Sequence, residues 1–253
     1  MTIVDVYKSQ WKWRSWSTVF GALPDVSGRT VIDLGCGIGD QAAELVARGA
    51  CVIGFDMNDD LLGAARARRM PNAEFRHADL RGLPDPGVLA DGLWCSFTAA
   101  YFTDLATVLP QWCKHLRPQA WVALTEVDDL FGHAPLSDRA KSAFRGYRRQ
   151  ALAAGRYDFQ MGRKLRKYAE HAGLAIARNF TIPDAELSFD GPASPEVVWA
   201  WRNRLDGMKL LRDFCGDDFA EIRDEFLAAI SLPSHTSAAK VRCVVATTPD
   251  AAP

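Results

Sequence analysis

The stretch Val31-Ile-Asp33-Leu-Gly35-Cys-Gly37-Ile-Gly39-Asp40 limits the possible folds of this chain more than any other. An apolar run, Thr30 to Leu34, enters a turn with glycine at three alternate positions, and a helix-forming segment follows from Gln41 to Arg48. Glycine admits dihedrals closed to other residues and lets a ligand approach the main chain closely. The helix start beyond it carries N–H groups with no partner inside the helix. Strand, glycine turn and helix in that order predict a ligand bound end-on to a strand of an α/β sheet.

The spacing separates this turn from the dinucleotide fingerprint G-x-G-x-x-G. Gly39 comes two residues after Gly37, and Asp40 occupies the place that a dinucleotide fold keeps for glycine. A carboxylate at that helix start repels a pyrophosphate and suits a cationic ligand. Asp33 adds an acid just before the first glycine. The next apolar run, Cys51 to Phe55, ends in Asp56, where βαβ sites grip ribose hydroxyls, and Met57 follows, placed to lie against an adenine face. A third run, Ala73 to His77, leads into Ala78-Asp79-Leu80. Three acids thus stand at or near successive strand ends, where open α/β sheets bind ligands.

This ordered set (D-x-G-x-G-x-G, an acid closing strand two, A-D-L after strand three) resembles the class I S-adenosylmethionine-dependent methyltransferases from about Thr30 to about Glu126. The resemblance implies a Rossmann-like α/β fold: a seven-stranded, mostly parallel sheet with helices on both faces. It implies S-adenosyl-L-methionine as cofactor and S-adenosyl-L-homocysteine as product. Gly35 and Gly37 would pass beside the methionine part, and Asp33 would help hold its ammonium group, mostly through water. Asp56 would accept both ribose hydroxyls, Met57 would pack on adenine, and Asp79, with Leu80 beside it, would bond the adenine amino group. The residues alone leave Asp33 open as a turn former and Asp79 as a helix cap.

Composition excludes other classes. Net charge is −1, so no overall field recruits nucleic acid or an anionic membrane. No run approaches the ~18 apolar residues of a membrane span. The start, Met1 to Lys8, lacks the basic and apolar regions of a signal peptide. Six cysteines are scattered without a C-x-x-C pair and read as reduced core residues of a cytoplasmic protein. At 253 residues, 48% of them hydrophobic, the chain can form one large α/β domain or a domain with a lid.

The predicted organisation is an N-terminal helical flap over 1–28, a cofactor-binding core over 29–126, and a cap insertion over 127–160. The core resumes over 161–182, a second cap insertion covers 183–237, and the last strand and tail occupy 238–253. Trp13, Trp16 and Phe20 fall at helical spacing in the flap. As a cover over the site, the flap would bring Arg14 to the cofactor carboxylate and Tyr7 or Trp11 to the substrate. As a plain packing helix it would do neither. Strand four, Asp91 to Phe97, ends in Trp94-Cys95-Ser96-Phe97-Thr98 rather than the N-P-P-Y type motif of nucleobase amino-methylating relatives. Ser96, beside the cofactor, and Phe97, Thr98 and Tyr101 are expected to line the methyl-transfer pocket; Phe97 and Tyr101 also suit the core.

Helices are predicted over Asp104 to His115, Ser137 to Ala154, Gln160 to Ala172 and Phe219 to Ile230, with another opened by Pro195 and carrying Trp199 as a substrate contact. Strands are predicted over Ala120 to Glu126, Leu174 to Ile182 and Val241 to Thr247, the last antiparallel. Pro249 to Pro253 reads as a frayed tail.

Methyl transfer needs alignment, exclusion of water and, for an O–H or N–H nucleophile, loss of a proton. Candidate bases are His133, Glu126, Asp128 and Tyr157, with His133 titrating nearest neutrality. No metal is expected. The reading is a small-molecule O- or N-methyltransferase of secondary metabolism, monomeric or homodimeric. The alternatives are methylation of RNA or protein, which needs an extended basic surface, and a non-catalytic cofactor-binding subunit.

Overall fold

The computed structural model describes residues 3–250. Met1, Thr2 and the last three residues of the predicted frayed tail lie outside that range. Nine strands form: β1 (Thr30–Leu34), β2 (Cys51–Asp56), β3 (Ala73–His77), β4 (Ala90–Ser96), β5 (Leu116–Asp128), β6 (His133–Ala134), β7 (Ala175–Ile182), β8 (Thr236–Ser237) and β9 (Lys240–Thr247). Seven make one sheet in the order β3-β2-β1-β4-β5-β9-β7. The first five are parallel, and β9 runs antiparallel between β5 and β7. The order reverses between β1 and β4, a switch point where ligands bind at the strands' C-terminal ends.

The ten α-helices are α1 (Ile3–Gln10), α2 (Trp16–Phe20), α3 (Asp40–Ala47), α4 (Asp59–Ala67), α5 (Leu105–Cys113), α6 (Asp138–Ala153), α7 (Leu165–His171), α8 (Pro195–Gly207), α9 (Lys209–Cys215) and α10 (Phe219–Ile230). Side chains alternate across the sheet. Val31 and Trp94 join the core shared with α2, α3, α6, α8 and α10, while Ile32, Leu34, Leu93 and Cys95 join the core under α5 and α7. Both faces are apolar, as a parallel sheet covered on both sides requires.

Three elements differ from the sequence expectation. The flap is not one helix: its chain becomes extended at Arg14 (φ −110°, ψ 135°), which forms an antiparallel bridge with Asp184. Ser15 N–H donates to the Pro183 carbonyl at 3.1 Å, and Ala185 N–H donates to the Trp13 carbonyl at 2.8 Å. Strand β5 starts at Leu116 rather than Ala120. Leu116 pairs with Ala90 and Trp121 with Gly92, so a bulge containing Pro118 and left-handed Gln119 lies between them. The helix expected from Gln160 is a 3-10 turn (Gly162–Lys164) before α7. There Gly162 packs so closely on β5 that a Cβ would lie 2.8 Å from Asp128 N. Helix α9 and the β6–β8 ribbon were not legible in the sequence.

Candidate active site

A cavity of about 480 Å³ opens between the glycine turn, the ends of β2 and β4, and α1. Gly35, Gly37 and Gly39 take φ of 70°, 53° and 76°, a region that favours glycine. A Cβ on Gly35 would lie 2.0 Å from Thr98 Oγ1, and one on Gly37 would lie 3.1 Å from the Tyr7 ring. Gly35 and Cys36 N–H both donate to the Phe55 carbonyl, at 2.8 and 3.0 Å, which ties the turn to β2. Asp56 sits at the end of β2, where its Oδ2 accepts from Gly37 N–H and its Oδ1 from Asn58 N–H, both at 2.9 Å. The carboxylate is thereby fixed on the cavity wall.

Beneath the turn, Asp33 is buried, and its Oδ2 has no hydrogen-bond partner. Burial first, and the nearby Asp56 charge second, push its carboxyl up to about 8. Ser96 Oγ, at the end of β4, is also buried without a partner. Met57 and Asp79 line the cavity and are exposed, and Leu80 lines it and is buried. Asp79 Oδ1 accepts from Arg81 N–H at 2.9 Å, so it caps a short 3-10 turn while facing the cavity. Asp40 also lines the cavity but forms an ion pair with Arg68, which offsets the negative charge expected of it.

Tyr7, Trp11, Arg14, Phe97, Thr98 and Tyr101 line the same space. Arg14 is buried, with its guanidinium 4.4 Å from the Phe97 ring centroid. Its Nε lies 3.0 Å from Asp184 Oδ2, and its Nη2 donates to Glu186 Oε2 at 3.2 Å. Glu186 Oε1 in turn accepts from Arg204 Nη2 at 2.5 Å. Two arginines thus share two buried carboxylates, a network made by residues 14, 184, 186 and 204.

Five expected site residues are placed elsewhere. His133 lies among aromatic rings: it stacks on His235, its Nδ1 is 2.9 Å from His235 Nε2, and Trp201 and Phe226 meet it edge-on. Burial, then His235, lowers it to about 3, so it stays neutral and away from the cavity. Trp199 is exposed in a separate depression with Lys12, Trp13 and Glu196. Tyr157 touches Tyr101 edge-on, with ring centroids 4.8 Å apart, but is not among the residues lining the cofactor cavity. Glu126 is fully buried at the end of β5, where Oε2 accepts from Ala100 N–H at 3.2 Å and Oε1 from Val127 N–H at 3.0 Å. Asp128 is held by Arg163 and Arg242 at 2.6 and 3.2 Å.

Burial dominates Glu126 and pushes its carboxyl up to about 8 against those two hydrogen bonds. The folded state therefore holds a proton that the unfolded chain releases above its ordinary value near 4.5. Stability from this group is full below that value and falls as pH rises toward 8, by about 1.4 kcal/mol per pH unit inside the window. Glu126→Gln is expected to flatten that part of the slope in urea unfolding at pH 5, 6.5 and 8, leaving the share from Asp33. An unaltered slope would show that Glu126 is ionised in the fold.

Residues that the sequence did not single out line a second cavity of about 630 Å³. Tyr147, Arg156, Phe159, Arg204 and Phe214 are among them, and Tyr101 and Arg156 line both cavities. Arg156 and Arg204 lie on a turn and on α8 with no motif to mark them. Only tertiary contact between the two insertions brings them together. Among the described residues, no group of three or more His, Cys, Asp or Glu converges as metal ligands.

Residues 31–119 match the family described as a methyltransferase domain. The trans-aconitate 2-methyltransferase of Azoarcus sp. (strain BH72) is 38% identical over 97 residues, 38% of this chain and 38% of that protein. The chain thus matches well under half the length of this curated relative. A solved S-adenosylmethionine-dependent methyltransferase from Mesorhizobium loti superposes with a TM-score of 0.54 at 20% identity, covering 92% of this chain and 96% of that one. Phosphoethanolamine N-methyltransferase 2 of Haemonchus contortus, solved with S-adenosyl-L-methionine, gives 0.61 at 17% identity, covering 98% of this chain and 57% of that one. The sheet order and the glycine turn give the chain the Rossmann-like α/β fold that these solved methyltransferases share. Over residues 31–119 the chain is similar to a methyltransferase domain.

Proposed function

We propose that the chain is an enzyme that transfers a methyl group from S-adenosyl-L-methionine to an oxygen or nitrogen of a small molecule, in secondary metabolism. The observation that carries the reading is the Asp56 carboxylate, held by Gly37 and Asn58 N–H on the cavity wall, with an unpartnered oxygen of Asp33 buried on β1 just before the glycine turn. These residues fit the cofactor. Gly35 and Gly37 line the cavity, Asp56 offers a ribose an acceptor, Asp79 on the same lining offers one to an adenine amino group, and Asp33 and Ser96 each keep a buried oxygen without a partner. When bound, S-adenosyl-L-methionine supplies an electrophilic methyl on a sulfonium. The chain's own part is to hold it, to keep aromatic rings (Tyr7, Trp11, Phe97, Tyr101) around the cation, and to exclude water.

The named relatives and the aromatic rings lining the two cavities favour a small acceptor over RNA or protein, and net charge −1 offers no general attraction to nucleic acid. Six free cysteines and the absence, among the described residues, of a helix long and apolar enough to cross a membrane fit work in the cytoplasm as a monomer or homodimer. The test is equilibrium dialysis of the purified chain with labelled S-adenosyl-L-methionine and with NADH, followed by turnover with a small-molecule extract. Saturable binding of the first alone, and labelled product from the chain by itself, are expected. Binding of NADH instead would overturn the reading, and binding without transfer would leave a cofactor-binding subunit.

A further inference from the structure

We infer that the second cavity is the acceptor chamber and that it takes a small carboxylic acid with an aromatic or bulky apolar body, methylated on its carboxylate oxygen. The inference rests on the cofactor reading above. The two cavities share Tyr101 and Arg156 in their linings. The chamber is built from both insertions: Tyr147 and Ala151 come from α6, Arg204 from the end of α8, and Leu210 and Phe214 from α9. With Tyr157 and Phe159 opposite, aromatic rings supply much of the wall, and a space of about 630 Å³ suits a ligand of ordinary cofactor or drug size.

The polar groups select the charge. Arg156 is exposed at the junction and makes no side-chain hydrogen bond or ion pair among the described residues. Arg204 gives one nitrogen to Glu186, but its buried Nε has no acceptor. Asp213 is the one carboxylate lining this chamber among the described residues, and it is exposed on α9. The unpaired Arg156 guanidinium and the free Arg204 Nε–H, beside a partly aromatic wall, recognise a carboxylate better than an amine or a neutral alcohol.

The chemistry agrees. Neither cavity is lined by a histidine among the described residues. Burial pushes the Tyr157 phenol far up and the Tyr7 phenol to about 12, and Glu126 is protonated at neutral pH. Asp56 and Asp79 already accept main-chain N–H groups, and Asp40 is paired with Arg68. Asp213, exposed on α9, is the one lining carboxylate without a main-chain or arginine partner among the described residues; apart from it the two linings offer a phenol or an ammonium no base. A carboxylate needs none. One of its oxygens forms the new C–O bond in line as the methyl–sulfur bond breaks. The sulfur keeps that electron pair, and the products are a methyl ester and S-adenosyl-L-homocysteine, with no proton released.

The test titrates indole-3-acetate, indole-3-acetamide and tryptamine into the protein saturated with S-adenosyl-L-homocysteine, by calorimetry. The acid is expected to bind at least tenfold more tightly than the amide or the amine. Arg156→Met, measured at saturating S-adenosyl-L-homocysteine, is expected to remove that preference. Turnover of the acid with labelled S-adenosyl-L-methionine is expected to give an alkali-labile methyl ester. Equal binding of acid and amide, an unaltered preference in Arg156→Met, or an alkali-stable product would overturn the assignment and leave the cofactor reading standing. Failure of S-adenosyl-L-homocysteine to bind would overturn the cofactor reading and this assignment with it.

Discussion

Asp56→Ala is expected to weaken S-adenosyl-L-homocysteine binding between tenfold and a hundredfold. Hydrogen bonds to a charged acceptor contribute about 1.5–3 kcal/mol each, and every 1.4 kcal/mol is a factor of ten. The substitution also strands Gly37 and Asn58 N–H, which now donate to the carboxylate. Part of the loss will therefore come from a slackened glycine turn. Asp56→Asn separates the two contributions, because its carbonyl keeps one main-chain bond while the charge is gone. Calorimetry on the two variants should rank affinities as wild type, Asn, Ala. Wild-type affinity in Asp56→Ala would remove this residue from the cofactor site.

Arg14→Met is expected to lower stability by about 3–5 kcal/mol, the cost of removing one partner from a buried ion pair. Its two acids, Asp184 and Glu186, have side chains 0% and 2% exposed, so neither can turn to water. Burial already pushes the Asp184 carboxyl up, with Arg14 the largest opposing influence. Without that cation Asp184 is expected to take up a proton near neutrality, so the loss should be smaller at pH 5 than at pH 8. Urea unfolding at the two values measures it. A change below about 1 kcal/mol at both would place Arg14 with ordinary surface pairs. Asp184→Asn in the same background should recover part of the loss.

The cofactor half was legible because its signals are local. A strand, a glycine turn and acids at fixed strand ends are written within about fifty residues, and Asp56, Asp79, Gly35 and Gly37 stand together around one cavity. Phe97 shows a limit: it lines the cavity at φ 54°, a backbone state that its residue type does not announce. The catalytic expectations relied on residue chemistry without neighbours. His133 looked reactive as an isolated histidine, but its surroundings are His235, Phe226 and Trp201, contributed from residues far along the chain. Glu126 looked like a base at a strand end, but the long β5 carries it under Ala100 and out of water. Arg14 was noticed, yet its partners at 184 and 186 follow β7 with no periodicity to link them across 170 residues. The acceptor chamber depends on two insertions meeting, which no local pattern encodes.

The bridge between Arg14 and Asp184 has a bearing on how this chain tolerates trimming. Helix α1, which roofs the cavity, and the second insertion, which supplies Arg204, are fastened through the same guanidinium. A proteolytic cut that removed the first fourteen residues would take away a roof and a counter-ion at once. Such a product should survive as an intact protein less well than the exposed surface of α1 would lead one to expect.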